Sequence, residues 1–326
     1  MDNATLVETS AVQYSSQFRF EEHAVTNFSY QVGGRAEIVS LNLGEDKSIG
    51  KPLNKTEHHF YETAVKSLPC NLLDYIPCYR GVVEIKNGKP ATLGDKLRLK
   101  RKGCYIVLED VTSRFKKPSI MDLKMGTRQF SDTMSPEKIA RKKNRSLATT
   151  SNELGVRVAG IRSFNSSESC GHHHMNKMEG RELTSDSILD AFRMFFFDGK
   201  EMHTAAIDRI LHKLTNIIEL IRLCDSVRLY CCSLLLVYES DKTGNLTNVK
   251  TDIRIIDFAE FQTRSGDGVK YDGPDDGFLR GLESLVRILA NLMREQEEKI
   301  KETPLKIGFE EEEKEQSASE QPPALS

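Results

Sequence analysis

Apolar and polar positions change their spacing several times along this chain, and each change marks an element. Phe28 to Gly34 and Arg35 to Leu43 read as two strands joined through Gly33 and Gly34, which tolerate backbone angles closed to other residues. A helix entered near Asn54 or Thr56 carries Phe60, Tyr61 and Ala64. Tyr79 to Ile85 is a strand with a turn at Asn87-Gly88, and Tyr105 to Leu108 is a second, ended by Glu109 and Asp110. Pro118 to Gln129 alternates: Met121 and Leu123 point one way, Asp122 and Lys124 the other, before Gly126 lets the backbone turn. Ser135 as N-cap and Pro136 at the first helical position start a helix. Leu154 to Phe164 is strand-like.

Two amphipathic core helices follow, one marked by Ile188, Leu189, Phe192 and Phe196 and stopping at Gly199, the other running from Ile207 to Ile221. Val227 to Tyr238 and Val249 to Ile256 read as a hairpin across Asp241 to Asn248. After a turn cluster at Tyr271 to Gly277, Leu282, Leu285, Leu289 and Leu292 lay out a final helix. The first 22 or so residues and the stretch beyond residue 300, with Glu310 to Glu313, have the composition of mobile segments.

At 326 residues the chain can bury a sizeable core in one large domain or two lobes. Its 46 basic and 48 acidic residues nearly cancel, so a polyanionic partner would have to be met by a local patch. Seven cysteines, an odd number with no CxxC pair, read as reduced intracellular thiols. No basic and apolar leader opens the sequence, and the longest apolar run, Leu229 to Tyr238, falls short of the roughly 20 residues that cross a bilayer. These features predict a soluble protein of cytoplasm or nucleus, with no membrane partner.

The local charge is less even. From Arg114 to Arg145 there are ten Lys or Arg against three acids, and Lys138, Arg141, Lys142 and Arg145 share one helix face. Such a face serves as a solvated surface or as a polyanion site, and the absence of interleaved aromatics argues against nucleic acid. Lys177 and Arg181 flank Gly180 and can extend the same site. The run His172-His173-His174 lacks partners at ligand spacing apart from Cys170, which argues against a metal there. Asp122 beside Lys124 suits phosphoryl transfer, since a carboxylate can orient a hydroxyl while an ammonium holds the moving group; it also suits a plain surface pair. Asp257, ending an apolar strand and followed by Phe258, is a candidate magnesium ligand or a turn cap. Glycine turn, Lys51, then a helix with Glu57 or Glu62 is the order in which a kinase small lobe grips nucleotide phosphates.

Three motifs, PSIMDLKMG, CSLLLVYES and IRIIDFAEF, stand in an order that resembles the inositol polyphosphate kinases, with their PxxxDxKxG motif, SSLL-type strand and final IDF. GTRQ, VGG with a later GKPL, NKMEGREL and YDGPDDGFLRGLESL resemble the inositol hexakisphosphate kinase branch, over about Tyr30 to Gln296. The resemblance implies an α+β, two-lobed kinase-like fold with a small antiparallel-sheet N-lobe (25–110) and a larger α/β C-lobe (111–300); composition adds a mobile segment (1–24) before them and a disordered acidic tail (301–326) after them.

It also implies ATP and Mg2+ as cofactors and inositol hexakisphosphate, with pentakisphosphate beside it, as the substrate converted to a diphosphate. Lys51 would contact ATP phosphates, Glu109 and Asp110 would lie at the hinge, Ser233 beside the nucleotide, and Asp257 on the metal. Asp122 and Lys124 would be catalytic, and Lys124, Arg128, Lys138, Arg141, Lys142, Arg145, Lys177 and Arg181 would meet the substrate. Alternatives are a multikinase, an inositol trisphosphate 3-kinase, or a non-catalytic protein binding inositol phosphate or nucleic acid. Two departures stand out: Cys232 where many members have serine, and Glu260 where several have histidine. No HRD-type loop is present, which argues against a protein kinase.

Overall fold

The computed structural model describes residues 25–34, 36–42, 47–86, 89–92, 103–167, 171–241, 249–263 and 272–302. The predicted mobile segment 1–24, Arg35, the Asn87-Gly88 turn, Cys170, the connection 242–248, Tyr271 and the tail from 303 lie outside the described residues.

Strands β1 (Val25–Asn27), β2 (Val39–Asn42) and β3 (Lys47–Pro52) lead into helix α1 (Lys55–Glu62), and β4 (Tyr79–Lys86), β5 (Lys89–Thr92) and β6 (Cys104–Glu109) complete a first sheet. Its order is β1-β2-β3-β6-β4-β5, antiparallel throughout. Asn54 caps α1 by accepting from the backbone N–H groups of Thr56 and Glu57 at 2.9 and 3.1 Å, which stabilises two otherwise orphan donors.

The chain continues through β7 (Pro118–Met125), α2 (Pro136–Leu147), α3 (Thr150–Leu154), β8 (Val156–Phe164), β9 (His172–Met175), α4 (Glu179–Glu182), α5 (Ile188–Phe196) and α6 (Thr204–Arg222). It ends with β10 (Val227–Arg228), β11 (Ser233–Glu239), β12 (Thr251–Ile256), β13 (Gln262–Thr263) and α7 (Asp276–Glu302). The second sheet has the order β12-β11-β7-β8-β9, again antiparallel, and β10 pairs with β13 apart from it. The fold is α+β: α5, α6 and α7 cover one face of the second sheet, where Met121, Leu123 and Met125 are fully buried among Phe192, Ile210, Leu285 and other helix residues. That core runs on into the first sheet through α1, whose Phe60 stacks on Phe258 at 3.7 Å.

Three predicted elements are corrected. Phe28 to Gly34 is not a strand. Tyr30 and Val32 instead pack on Phe115, Ile120 and Val237, so burial against the second sheet outweighs a local hairpin. The apolar run from Val227 is two strands, because Cys231 takes a left-handed conformation (φ 60°) that no ladder accommodates. The strand expected from Leu154 starts at Val156, after a helical turn closed by Gly155 at φ 67°. A Cβ on Gly155 would lie 2.7 Å from the Gly281 nitrogen, so this glycine pair lets α7 lie against the start of β8.

Among the described residues no helix is long and apolar enough to cross a membrane, and the six described cysteines are free thiols.

Candidate active site

The face of the second sheet opposite the helices carries Asp122 and Lys124, as the alternation in β7 requires. On one side Ser233 of β11 sits opposite Lys124 and Leu235 opposite Asp122. On the other, β8 places Gly160 opposite Asp122, then slips by one residue so that Arg157, and not Val158, faces Lys124. A bulge that inserts one extra residue flips the strand's facing, and here it delivers a guanidinium to the site. Backbone crosses at the glycines: a Cβ on Gly160 would lie 1.9 Å from the Val32 carbonyl oxygen, and one on Gly33 would lie 2.0 Å from Asp122 Oδ2. The 28–34 segment therefore covers the Asp122 carboxyl, which is 4% exposed.

A chain of charges links the two sheets. Lys51 Nζ donates to Glu57 Oε1 at 2.8 Å and to Asp257 Oδ1 at 2.5 Å. Lys124 Nζ donates to Asp257 Oδ2 at 2.7 Å and to the Cys231 carbonyl at 2.9 Å. Glu57, not Glu62, is thus the helix carboxylate that meets Lys51; Glu62 accepts from the Tyr79 hydroxyl at 2.7 Å. Asp257 has a left-handed backbone (φ 68°), an unfavourable state for aspartate that the two lysines and a bond from the Phe258 N–H to Glu57 (3.3 Å) hold in place.

Burial alone would push the Asp257 carboxyl up, but Lys124 and Lys51 hold it well below the usual carboxylate range. Burial alone would likewise lower Lys124, yet Asp257 and then Asp122 raise it above its ordinary value. Asp122 differs. Its burial pushes it up and outweighs the opposing pull of Lys124.

Two cavities meet along this face. The first, about 570 Å³, has apolar walls from Ile49, Leu53, Leu108, Val111 and Ile256, with Lys51, Asp122, Lys124 and Asp257 at its charged end. Glu109 and Asp110 are on its wall as well, but Glu109 is engaged by Arg114 and Arg254, and Asp110 accepts from the Thr112 hydroxyl and N–H. The second, about 430 Å³, is lined by Lys124, Arg141, Lys142, Arg145, Arg157, Lys177 and Arg181, with no acidic residue in its wall. Gly180 lies so close to Val158 (a Cβ would be 2.3 Å from its carbonyl oxygen) that α4 can bring Lys177 and Arg181 against β8. Lys124, Lys142, Arg145 and Arg157 belong to both cavities.

Three predicted site residues are elsewhere. Ser233, paired opposite Lys124, is on the same face of the sheet, but it is fully buried next to Asp122 and lines neither cavity. Arg128 turns away to pair with Asp132, to bond the Phe130 carbonyl at 3.0 Å and to lie over the Tyr230 ring at 4.4 Å. Lys138, on the first turn of α2, is exposed and does not line the cavity that Arg141, Lys142 and Arg145 reach.

The inositol polyphosphate kinase family model matches residues 105–290, more than half of the chain. The chain belongs to the inositol polyphosphate kinase family. Among curated relatives of this family, it is 34% identical to inositol hexakisphosphate kinase 3 of Mus musculus over 201 residues, covering 58% of this chain and 50% of that protein. It is 31% identical to inositol hexakisphosphate kinase 2 of Homo sapiens over 222 residues, covering 59% and 52%. The chain thus spans about half the length of the curated relatives it matches. Among solved structures, an inositol phosphate multikinase from S. cerevisiae in complex with ADP and Mn2+ superposes with a TM-score of 0.60 at 26% identity, over 76% of this chain and 99% of that one.

Within this inositol polyphosphate kinase family member, Arg157 and Cys231 were not anticipated from sequence. Arg157 sits in an apolar run, VRVAGIRSF, where its facing depends on the bulge. It is 8% exposed, its Nε has no partner among the described residues, and burial together with Arg181 and Arg145 pushes it down to about 10. A buried guanidinium in that state is stabilised by an arriving anion.

The raised Asp122 has a consequence for pH. Its raised folded value makes the ionised form a cost to folding, one that vanishes below the unfolded carboxylate pKa of about 4, where both states are protonated. Asp122→Asn is expected to raise the melting temperature by a few degrees at pH 7, with the gain shrinking to nothing below about pH 4. Calorimetric melts across that range check it; a lower melting temperature at pH 7 would contradict the account.

Proposed function

We propose that the protein transfers the terminal phosphoryl group of ATP to an inositol phosphate, with inositol hexakisphosphate as the acceptor and a diphosphate as the product. The observation that carries this reading is the pair of cavities sharing Lys124, Lys142, Arg145 and Arg157: one with apolar walls and a Lys–Asp–Lys end, the other ringed by seven basic side chains. The apolar cavity has the size and lining of a small-molecule site and suits a nucleotide base and ribose, with Lys51 and Asp257 at the phosphate end. The basic cavity suits a compact polyanion whose phosphates point outward around a ring.

A divalent cation fits the charged end. Asp257, which stays ionised, would be the carboxylate that holds it; among the described residues no group of three acidic, histidine or cysteine side chains is placed to bind a metal by itself, so phosphate oxygens would complete the coordination. When bound, such an ion neutralises charge on the phosphoryl oxygens. The chain's own groups do the rest. Lys51 and Lys124, fixed 2.5 and 2.7 Å from the same carboxylate, hold positive charge at the seam where donor and acceptor phosphates meet. Asp122, covered by the 28–34 segment, orients the attacking oxygen, and a loose transition state asks no more of it. The likeness to hexakisphosphate kinases, each about a third identical, supports the choice of acceptor.

The protein incubated with ATP, Mg2+ and a panel of acceptors carrying three to six phosphates is expected to convert the hexakisphosphate to a diphosphate faster than the others. Preference for the trisphosphate would assign it instead to the 3-kinase or multikinase activity. Binding without turnover of any acceptor would overturn the proposal.

A further inference from the structure

We infer that Glu260 sets the choice of acceptor, by holding Lys142 back from the phosphate that would otherwise claim it; this rests on the proposed kinase reading. Lys142 lies on the border of the two cavities, so its ammonium can serve either side. It is already engaged. Its Nζ donates to Cys231 Sγ at 3.0 Å and lies 3.8 Å from Glu260 Oε1. Neither partner is free to swing aside. Glu260 accepts from Ser131 Oγ at 3.1 Å, and Ser131 is 1% exposed; Cys231 is held at φ 60°, with its thiol donating to the Gln129 carbonyl at 2.6 Å.

Glu260 lines the first cavity and is absent from the wall of the second, so its negative charge stands at the nucleotide side of the seam while pulling on a cation of the acceptor side. An acceptor phosphate that approaches Lys142 must therefore compete with a carboxylate already paired to it and meets that carboxylate's repulsion. The cost falls only on acceptors that carry a phosphate at this position. A fully phosphorylated ring always does, and a ring with three phosphates can leave a hydroxyl there. Glu260 thus works against the most highly charged acceptors, although the other six basic residues of the cavity favour them. Its effect is on selectivity and passes through Lys142, which makes Glu260 a positioning residue and not a catalytic one.

The test measures KM and kcat for acceptors with three and six phosphates, and KM for ATP, in the wild type, Glu260→Gln, Lys142→Met and the double variant. Glutamine keeps the shape of the side chain and an oxygen for Ser131, so the fold is retained; thermal melts check this. Expected for Glu260→Gln are a three- to ten-fold lower KM for the hexakisphosphate, a change under two-fold for the trisphosphate, an ATP KM unchanged or lower because the charge removed faces the nucleotide cavity, and no gain for the hexakisphosphate when Lys142→Met is present. Equal changes for both acceptors, no change, or the same gain without Lys142 would each overturn the role of Glu260 while leaving the kinase reading intact. An inactive wild type would overturn the kinase reading. In that event calorimetric titration with hexakisphosphate still decides the matter, since tighter binding by Glu260→Gln supports the competition with Lys142 and unchanged binding overturns it.

Discussion

Replacing Asp257 with Asn is expected to reduce phosphoryl transfer by about a thousand-fold or more, the scale on which preorganised charge contributes to such reactions. The reason is local. Asp257 is the only carboxylate bonded to both Lys51 and Lys124 among the described residues, so one uncharged amide leaves two ammonium groups facing each other where donor and acceptor phosphates would meet. It also removes the ionised oxygen best placed for a cation. The same substitution is expected to lower the melting temperature by several degrees at pH 7. The sign follows from the depressed folded value: the contribution of Asp257 to stability is present above the unfolded carboxylate pKa of about 4 and is lost as pH falls through the folded value. The deficit of Asp257→Asn should therefore narrow under strongly acid conditions. Product formation and melts at several pH values check both halves, and an active Asp257→Asn enzyme would remove the basis of the proposed site.

The second large effect has two parts of opposite sign. Arg157→Met is expected to raise KM for the acceptor by roughly ten- to hundred-fold, the loss of one charge-assisted contact to a phosphate, with a smaller change in kcat. It is also expected to raise the melting temperature. Arg157 is buried beside Arg145 and Arg181, its Nε has no partner among the described residues, and an apolar side chain of similar length removes that cost. Lower affinity with higher stability is what a residue kept for a ligand should give; lower stability with unchanged KM would show that Arg157 supports the fold instead.

Much of the architecture was legible because it is local. Period-two alternation in β7 put Asp122 and Lys124 on one face, and Pro136, Ser135 and the basic spacing drew α2 and its charged side without reference to anything distant. Helices α5, α6 and α7 carry apolar stripes that only a core can satisfy. Elements set by distant contacts were misread. Phe28 to Gly34 has the composition of a hairpin, but the packing of Tyr30 and Val32 on the far sheet draws it across the site. The break at Cys231 lies inside an apolar run, and nothing in the neighbouring residue types marks it.

The sequence by itself determined the family, through motifs whose order and spacing it displays, and the two carboxylates and two lysines around which the site is built. Tertiary structure decided which charges serve the site. Arg157 enters it by a one-residue slip between β7 and β8, whereas Arg128 leaves it for Asp132 and Tyr230, and Lys138 stays in solvent. A residue's charge is written in its type, but its direction depends on strand register and on the partners that long-range packing brings within reach, and neither is a property of the local chain.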